Sequence, residues 1–271
     1  MKTLLITFSP TGTSRKIGES VLQGLAGENE IIDLTHKTAV SKTIPEDVFC
    51  VFSIPVYGGH PAPLAMKRLE GIRSDGAMCA VVVTYGNRHY GDALAELGRY
   101  ARGAGFKVGG GAAFVGEHSY CTEEYPIAKG RPDKNDLSQA KDFGRKLRQK
   151  ADSQDGSKTE TDLESMQGLH TSLLSRWRFI AGVLKIRRAK GDIARCPIVD
   201  EAKCNHCGRC VGLCPASAIA PQDECHTDSG KCIRCCACVK GCPQGARTYP
   251  SPFAPLLWRN FKHARPNRTV L

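Results

Sequence analysis

Eight cysteines fall in two copies of one short pattern. The first copy reads C-N-H-C-G-R-C-V-G-L-C-P and runs from Cys204 to Pro215, and the second reads C-I-R-C-C-A-C-V-K-G-C-P and runs from Cys232 to Pro243. Both have the spacing C-x2-C-x2-C-x3-C-P, which is typical of thiolates that bind a cubane iron–sulfur cluster. Three cysteines of a copy can surround one cluster, while the cysteine before the proline binds the other cluster. The sequence therefore predicts two cubane clusters.

The predicted ligand sets exchange their fourth cysteine. One cluster is assigned Cys204, Cys207, Cys210 and Cys242, and the other is assigned Cys232, Cys235, Cys238 and Cys214. Zinc sites would require only the C-x2-C pairs, and a disulfide framework would suit a small secreted protein. Residues 195–250 resemble the two-cluster ferredoxins of bacteria, with every ligand position filled. The resemblance implies two [4Fe-4S] clusters that operate at low potential.

Four other side chains near these motifs lack the spacing of a ligand. Cys236 stands between ligands and is expected to be a packed thiol, and Cys225 and Cys196 are expected to be structural. Four thiolates already complete each site, so His206 is expected to be exposed or to donate to a cluster sulfur.

A second candidate site precedes the first predicted helix. Residues 9–14 read S-P-T-G-T-S and offer hydroxyls at Ser9, Thr11, Thr13 and Ser14 and a permissive backbone at Gly12. Hydroxyls, free backbone N–H groups and the helix dipole can together bind a phosphate. The stretch has neither the lysine of a P-loop nor the glycines of a dinucleotide fingerprint. The residues alone leave open whether the hydroxyls bind a phosphate or cap the helix.

Two later loops are expected beside residues 9–14, because ligands of open α/β sheets bind at the carboxyl ends of the strands. They are 54–63 (I-P-V-Y-G-G-H-P-A-P) and 84–92 (T-Y-G-N-R-H-Y-G-D). With the [ST]-x-T-G-x-[ST] pattern of residues 9–14, residues 1–150 resemble flavodoxins, although Pro10 removes one N–H group. The resemblance implies FMN, bound at its phosphate by residues 9–14 and at its ring by Pro55, Val56, Tyr57, Gly58, Gly59, Thr84, Tyr85, Gly86, Asn87, Tyr90, Gly91 and Asp92. Tyr57, Tyr85 and Tyr90 are expected either to stack on the ring or to pack in the core.

The elements that must position these loops alternate between strand and helix. Strand patterns occur at 2–8, 30–34, 48–55, 77–84 and 107–116. Helical patterns occur at 17–25, with an end near 27, and near 63–71, 91–104 and 137–150. The alternation predicts an α/β fold with a doubly wound parallel sheet. The resemblances make this sheet flavodoxin-like and add a helical linker and a small α+β ferredoxin-like domain. The predicted division is 1–150 for the FMN-binding domain, 151–194 for the linker and a basic amphipathic helix, 195–250 for the two-cluster domain and 251–271 for a basic tail.

The loop 116–133 is long and has little helical pattern, which is typical of a functional or mobile loop. We expect it to approach the flavin edge or the ferredoxin-like domain. Glu117, His118 and Ser119 are its candidates for a functional role. His60 and His89 are weaker candidates, since a histidine at a strand end is often structural.

The region between the two domains is polar and then basic. Residues 151–165 are mostly acidic and polar, which indicates a linker. The next apolar residues share one helical face with the intruding Arg176, and they are Leu169, Leu173, Trp177, Ile180 and Leu184. A basic helix with such a face can lie on a membrane, but packing on the two domains is favoured. In the tail, an extended strap and a short amphipathic helix are expected.

The chain has 271 residues and a formal net charge of +11. Basic residues are concentrated in 176–195 and in the tail, where no acidic residue follows Asp228. A basic surface can bind an acidic redox partner, an anionic membrane or nucleic acid. No nucleic-acid-binding motif accompanies it. An acidic redox protein is therefore the favoured partner, with peripheral membrane contact as an alternative and the oligomeric state left open.

The cysteines also bear on the compartment. Of 14 cysteines, eight are assigned to clusters, and free thiols beside clusters suit a reducing interior. The first residues lack the apolar core and cleavage site of a secretory leader, and no stretch of about 20 apolar residues occurs. The sequence therefore predicts a cytoplasmic protein without a transmembrane segment.

Nearly the whole chain resembles the flavodoxin–ferredoxin fusion proteins of anaerobes. The resemblance implies an electron-transfer protein that relays electrons between FMN, two [4Fe-4S] clusters and an external redox partner. The chemistry is expected to reside in the cofactors, since no catalytic triad or carboxylate pair occurs. The alternative is an FMN-dependent reductase of a small substrate, with His118 or Tyr90 as its acid. A nucleic-acid- or membrane-associated redox sensor is a third hypothesis that rests only on charge.

Overall fold

A computed structural model describes residues 1–37, 40–153, 160–166, 173–188 and 195–271. The strands are β1 (Lys2–Thr7), β2 (Glu28–Asp33), β3 (Lys42–Ile44), β4 (Val48–Tyr57), β5 (His60–Pro61), β6 (Ile72–Ser74), β7 (Met78–Tyr85), β8 (Lys107–Val115), β9 (Ile198–Val199), β10 (Arg247–Thr248) and β11 (Arg268–Val270). The helices are α1 (Thr13–Leu25), α2 (Pro63–Leu69), α3 (Ala93–Gly103), α4 (Lys134–Asp152), α5 (Leu173–Arg188), α6 (Arg209–Leu213), α7 (Ala237–Lys240) and α8 (Phe253–Phe261), with a 3-10 turn at Glu164–Met166. None of the helices in these described ranges combines the length and the apolar character needed to cross a membrane.

The chain forms two compact units. We call Met1–Glu117, Gly130–Leu169 and Arg265–Leu271 the N-terminal unit, and His118–Lys129 and His170–Ala264 the cysteine-rich unit. The division predicted from the sequence gave the loop 118–129 to the first domain and treated 251–271 as one tail. In the structure that loop belongs with the cysteines, and the tail is shared between the units.

The N-terminal unit is built on a parallel sheet. Strands β2, β1, β4, β7 and β8 lie side by side in that order and all run parallel. Numbered among themselves along the chain, they have the order 2-1-3-4-5, which is the flavodoxin-like order of the doubly wound fold. The predicted α/β class is therefore confirmed. The order reverses between β1 and β4, which makes their carboxyl ends the expected ligand site.

Alternate residues of the strands fill two cores. Leu5, Val51 and Val82 face α1 and α4, where they join a buried cluster with Phe143 of α4. Phe52, one residue on from Val51, points to the opposite face, where its ring contacts that of Phe106 edge-on at 5.1 Å. This alternation follows from the two-residue period of a strand, and it places helices on both faces of the sheet.

An antiparallel strand that the sequence did not predict closes one edge of the sheet. β11 pairs with β8, with Arg268 opposite Ala113 and Val270 opposite Gly111. Just before β11, the Asn267 side chain accepts a hydrogen bond from the Val115 N–H at 2.9 Å. Only one of the three residues of β11 is apolar, so the sequence has no strand pattern here. The strand could be predicted only from the expectation that the edge of β8 needs a partner.

Part of the predicted linker packs against the N-terminal unit. The Thr161 N–H donates to the Val108 carbonyl at 2.8 Å, and Leu163 is buried beside Gly98 and Gly111. Residues 154–159, in the middle of this predicted linker, lie outside the described residues. Residues 160–166 are therefore not a solvated linker.

The cysteine-rich unit has a small apolar core apart from the cysteines. Ile127, Leu257 and Phe261 are buried together, and the ring of Phe179 on α5 contacts that of Phe261 on α8 edge-on at 5.2 Å. The loop 118–129 supplies Ile127, so it is a packed part of this unit. The expected short helix in the tail is α8.

Helix α5 packs through a different face from the one expected. Trp177, Ile180 and Leu184 were expected to pack, but they are 68%, 40% and 44% exposed. Phe179 faces α8 instead, because apolar residues lie on both sides of this helix. Of the other residues placed on this helix, Leu169 and Lys190 lie outside the described residues.

Asp136 joins three parts of the N-terminal unit. Its carboxylate is fully buried, pairs with Arg131 through both oxygens, and accepts hydrogen bonds from the Asp133 N–H at 2.8 Å and from Asn267 at 2.7 Å. Burial by itself would raise the pKa of Asp136, but the hydrogen bonds from Arg131, Asn267 and the Asp133 backbone outweigh it, so the pKa is lowered.

Asp136→Asn should lower the free energy of unfolding by about 3 kcal/mol, because it leaves the Arg131 cation without its buried partner. Chemical denaturation at neutral pH measures the loss. Because the folded-state pKa is the lower one, the carboxylate stabilises fully above the unfolded pKa of about 3.9. This contribution disappears as the pH falls through the folded-state pKa. Asp142→Asn, at an exposed pair on the same helix, is the control and should change stability by less than about 1 kcal/mol.

Candidate functional site

The two cysteine motifs have the same backbone conformation as well as the same spacing. Left-handed residues occupy three equivalent positions, 28 residues apart: His206 and Arg234 (φ 53° and 57°), Gly208 and Cys236 (φ 68° and 60°), and Ser217 and Gly245 (φ 50° and 59°). A left-handed conformation is unfavourable for residues other than glycine and persists where the surroundings require it. Here it coils the chain so that the cysteines of a copy turn toward one space.

The first predicted ligand set surrounds a cavity. Cys204, Cys207, Cys210 and Cys242 all line it, so the cysteine from the second copy does lie with the three from the first. Burial by itself would raise the pKa of the Cys242 thiol, but hydrogen bonds from the backbone N–H groups of residues 244–247 outweigh it and lower the pKa. These groups favour the thiolate, which is the form that binds a metal.

The second predicted ligand set is more deeply buried. Cys235 and Cys238 are each 8% exposed. Burial raises the pKa of Cys235 to about 12, opposed by the Ala237 N–H and reinforced by the nearby thiols of Cys238, Cys214 and Cys232. Four sulfur atoms with no other ligand type are a soft donor set that suits iron–sulfur clusters or zinc. The residues present thus fit a thiolate-bound metal centre.

The thiols outside the predicted sets have protein partners. Cys236 is 2% exposed, and burial raises the pKa of its thiol. The Cys196 thiol donates to the Thr227 carbonyl at 3.6 Å. Cys225 lies nearer to the candidate ligands than its sequence position suggested, because ligand atoms of Cys225, Cys204 and His206 all fall within 4.8 Å of one another.

His206 is exposed, as expected, and its Nδ1 lies 3.4 Å from a Glu224 carboxylate oxygen.

A buried arginine that the sequence analysis missed is among the residues that line the first cavity. Arg247 lines it and is 3% exposed. Its Nη1 donates to the Thr227 hydroxyl at 3.0 Å and lies 3.9 Å from the Cys238 sulfur. Comparing the two copies position by position would have revealed it, since the equivalent residue of the first copy is Ile219.

Residues 9–14 follow β1 and include the first two residues of α1, at the switch point of the sheet. Gly12 is the N-cap of α1 at φ 79°, and no side chain caps the helix from that position. Within the described residues, the N–H groups of Thr11, Thr13 and Ser14 have no hydrogen-bond acceptor. Free N–H groups at a helix N-terminus, with hydroxyls beside them, favour the phosphate interpretation.

Capping still accounts for one hydroxyl of this loop. The Ser9 side chain accepts a hydrogen bond from the Arg15 N–H in the first turn of α1, at 3.0 Å. The hydroxyls of Thr11 and Thr13 lie 3.3 Å from each other on the surface, and Ser14 is buried.

The two loops predicted beside residues 9–14 meet through glycine. Gly58 and Gly59, at φ 67° and 102°, form the two-residue turn of a hairpin between β4 and β5. A Cβ atom on Gly91 would lie 2.3 Å from the Gly59 carbonyl oxygen, so the two backbones touch. These glycines therefore have a structural reason to be glycine, besides any contact with a ligand.

Two of the three candidate stacking tyrosines are core residues. Tyr85 is 2% exposed and donates to the Pro266 carbonyl at 3.2 Å, and Tyr90 is fully buried and donates to the Met166 carbonyl at 2.9 Å. Asn87 is also fully buried, and its side chain accepts a hydrogen bond from the Arg265 N–H at 3.0 Å. Tyr57, at the end of β4, is partly exposed and is the remaining candidate to stack.

The other predicted ring-contacting residues remain at this end of the sheet. Pro55, Val56 and Gly86 are partly exposed, and Asp92 is exposed at the N-cap of α3. Thr84, at the end of β7, has a buried hydroxyl without a hydrogen-bond partner in the described structure. Thr84 and Thr13 both flank Gly116. An unsatisfied buried hydroxyl beside residues 9–14 favours a polar ligand here.

The candidates in the loop 116–133 have structural partners. The Glu117 carboxylate accepts a hydrogen bond from the Gly130 N–H at 2.9 Å within the N-terminal unit. His118 Nδ1 accepts from the Tyr120 N–H at 3.0 Å, and the His118 carbonyl accepts from Lys240 at 3.2 Å. Of the two alternatives for this loop, the segment 118–129 belongs with the cysteine-rich unit, and Ser119 is partly exposed there.

The two weaker histidine candidates pair locally. His60 Nδ1 lies 2.6 Å from the Glu96 carboxylate, and His89 Nδ1 accepts from the Gly91 N–H at 2.6 Å.

One family model matches part of the cysteine-rich unit. The family model of the 4Fe-4S binding domain matches residues 197–220. A search of curated proteins finds no match. Among solved structures, the chain is similar to a flavodoxin from the domain Archaea, with 15% identity, a TM-score of 0.39, and coverage of 56% of this chain and 100% of that one.

Two other similar structures are a flavone reductase and a Megasphaera elsdenii flavodoxin in its two-electron reduced form. The first has 15% identity, a TM-score of 0.41, and coverage of 56% of this chain and 63% of that one. The second has 11% identity, a TM-score of 0.34, and coverage of 51% of this chain and 97% of that one.

The strand order and the family model together identify a flavodoxin-like domain joined to a ferredoxin-type 4Fe-4S domain. The family model indicates that the cysteine-rich unit binds at least one [4Fe-4S] cluster.

Comparison of Cys242→Ser with Cys225→Ser should distinguish a cluster ligand from a nearby cysteine that is not a ligand. Cys242→Ser removes a thiol from the cavity and should lower the iron content by about half after anaerobic reconstitution, because one of two clusters loses a thiolate ligand. Cys225→Ser should keep the wild-type iron content. Iron and acid-labile sulfide assays measure both. Equal iron loss in the two variants would contradict the ligand assignment.

Proposed function

We propose that the protein relays electrons between FMN, two [4Fe-4S] clusters and an external redox protein. The observation that carries this proposal is the duplicated cysteine motif, whose two copies share spacing and left-handed backbone positions. The grouping of Cys204, Cys207, Cys210 and Cys242 around one cavity supports the first site. The mutual proximity of Cys214, Cys232, Cys235 and Cys238 supports the second.

FMN is the flavin that the N-terminal unit suits. The free N–H groups of Thr11, Thr13 and Ser14 would hold its phosphate, and the Thr84 hydroxyl would gain a partner. Tyr57 would contact the ring. When bound, FMN supplies exchange between two-electron and one-electron carriers, and the protein sets its position and potential.

The alternative reductase function has less support. It requires an acid near the flavin, and the two candidates for this role were His118 and Tyr90. Tyr90 is fully buried and its hydroxyl donates a hydrogen bond to the Met166 carbonyl, while Nδ1 of His118 already accepts one from the Tyr120 N–H. The electron-transfer function needs no such acid.

Anaerobic reconstitution with iron, sulfide and flavin tests the relay. We expect about eight iron atoms and one FMN per chain, and separate flavin and cluster signals in absorbance and EPR during stepwise reduction. Riboflavin, which lacks the phosphate, is the matched control ligand and should bind at least about tenfold more weakly, since the N–H groups at the helix N-terminus would have no anion. Zinc in place of iron, or no flavin binding, would overturn the proposal.

An acidic redox protein is the partner that the cysteine-rich unit suits. The face of α5 that carries Trp177, Ile180 and Leu184 is exposed and apolar, and Arg178 and Lys185 are exposed on the same helix. In the sequence no acidic residue occurs from 165 to 191. An apolar centre with a basic rim fits a partner whose own site is ringed by carboxylates.

The six cysteines outside the candidate ligand sets fit a reducing cytoplasm, where clusters and such a partner would persist.

A small acidic ferredoxin is a suitable probe of this docking face. Trp177→Ala should weaken its binding about tenfold, because an exposed aromatic at the centre of an interface is often a hot spot. Arg178→Gln/Lys185→Gln should weaken binding severalfold and reduce its salt dependence. Calorimetry at two salt concentrations measures both effects.

The control for this test is Lys203→Gln/Lys231→Gln, which removes the same charge from exposed pairs elsewhere in the unit. It should leave the affinity unchanged. If both double variants weakened binding equally, net charge alone would explain the effect. That result would contradict docking on α5. Binding of α5 to phosphatidylserine vesicles, with no binding of the acidic protein, would also overturn the proposal.

A further inference from the structure

Arg247 is a buried cation without a carboxylate partner. Its side chain donates to the Thr227 hydroxyl and to the Glu224 backbone carbonyl, both of which are neutral acceptors. Within the described residues it forms no ion pair with an aspartate or glutamate. These hydrogen bonds orient the guanidinium but do not neutralise it. Burial of an unpaired charge is costly, so an anion is expected beside it.

The surroundings of Arg247 point to where that anion would be. Nη1 lies 3.9 Å from the sulfur of Cys238, a member of the second ligand set. The residue also lines the cavity of the first ligand set. Arg247 is thus near both groups of cysteines. A cubane held by four thiolates is an anion, and it gains one more negative charge on reduction.

The internal repeat shows that a cation is not required by the fold at this position. Arg247 stands five residues after Cys242, and Ile219 stands five residues after Cys214. Ile219 is 2% exposed and Arg247 is 3% exposed, so both side chains are buried. The first copy fills the position with an apolar side chain, and the second fills it with a charge.

We propose that Arg247 is a fixed counter-charge that raises the reduction potential of the cluster on Cys214, Cys232, Cys235 and Cys238. Reduction adds one electron to that cluster and breaks no bond. The added negative charge is attracted by the nearby guanidinium, and burial strengthens the attraction. The inference rests on the proposed function, since it requires the clusters to be present. Arg247 is a tuning residue that acts on this cluster through its 3.9 Å approach to the Cys238 sulfur.

Anaerobic redox titration of the reconstituted full chain tests this inference. Arg247→Met keeps an unbranched side chain without charge, and it should make reduction of one cluster at least about tenfold less favourable, which is 59 mV for one electron. Arg247→Lys keeps the charge and should shift the potential less. Arg259→Met, which removes a charge from the exposed face of α8, is the matched control and should leave both potentials unchanged. EPR distinguishes the two clusters, and circular dichroism checks the fold.

Each outcome separates this inference from the proposed function. A wild-type chain that binds no iron–sulfur cluster would overturn both. If both clusters are loaded and each has the same potential in Arg247→Met as in wild type, only the role of Arg247 is overturned. If Arg247→Met does not assemble, Arg247→Gln serves instead, because it removes the charge but keeps a polar side chain that can donate to the Thr227 hydroxyl and the Glu224 carbonyl. A lowered potential in that variant would support the inference, and an unchanged one would overturn it.

Discussion

Crowding of thiols is the constraint on which the cysteine-rich unit depends. A thiol is a weak hydrogen-bonding group, so four thiols in one small space contribute little stability by themselves. The chain nevertheless uses left-handed backbone at residues such as His206 and Arg234, where only glycine is free of strain. Binding of a metal centre would stabilise the folded unit by more than the left-handed backbone destabilises it, since metal binding and folding are coupled. The repeated backbone is therefore best understood as a structure shaped for its metal.

The parts of the fold that follow from local pattern could be predicted from the sequence. Strand and helix alternation located the five parallel strands, and four of them, β1, β4, β7 and β8, contain long buried runs. The ligand sets could be proposed from spacing alone. Residues 9–14 could be placed at the start of a helix, since glycine and hydroxyl residues precede an amphipathic pattern. In each case a short range of sequence contains the physical signal.

The parts that depend on distant contacts could not be predicted in this way. Tyr85 and Tyr90 look like ring-stacking residues, but carbonyls of Pro266 and Met166, far along the chain, bind their hydroxyls in the core. Trp177 lies on a helix with apolar residues on two sides, and the sequence does not indicate which side packs against α8. Arg247 resembles any surface arginine until its burial and its repeat partner Ile219 are compared.

The exchange of segments between the units means that this protein is not two domains joined end to end. The chain passes from one unit to the other after Glu117, returns after Lys129, leaves again after Leu169 and returns after Ala264. A fragment cut at the linker would carry the segment of Ile127 without its core, and it would leave the edge of β8 unpaired. Neither half is therefore a complete folding unit. Replacement of either half as one block would therefore also alter the packing of Ile127 and the pairing at the edge of β8.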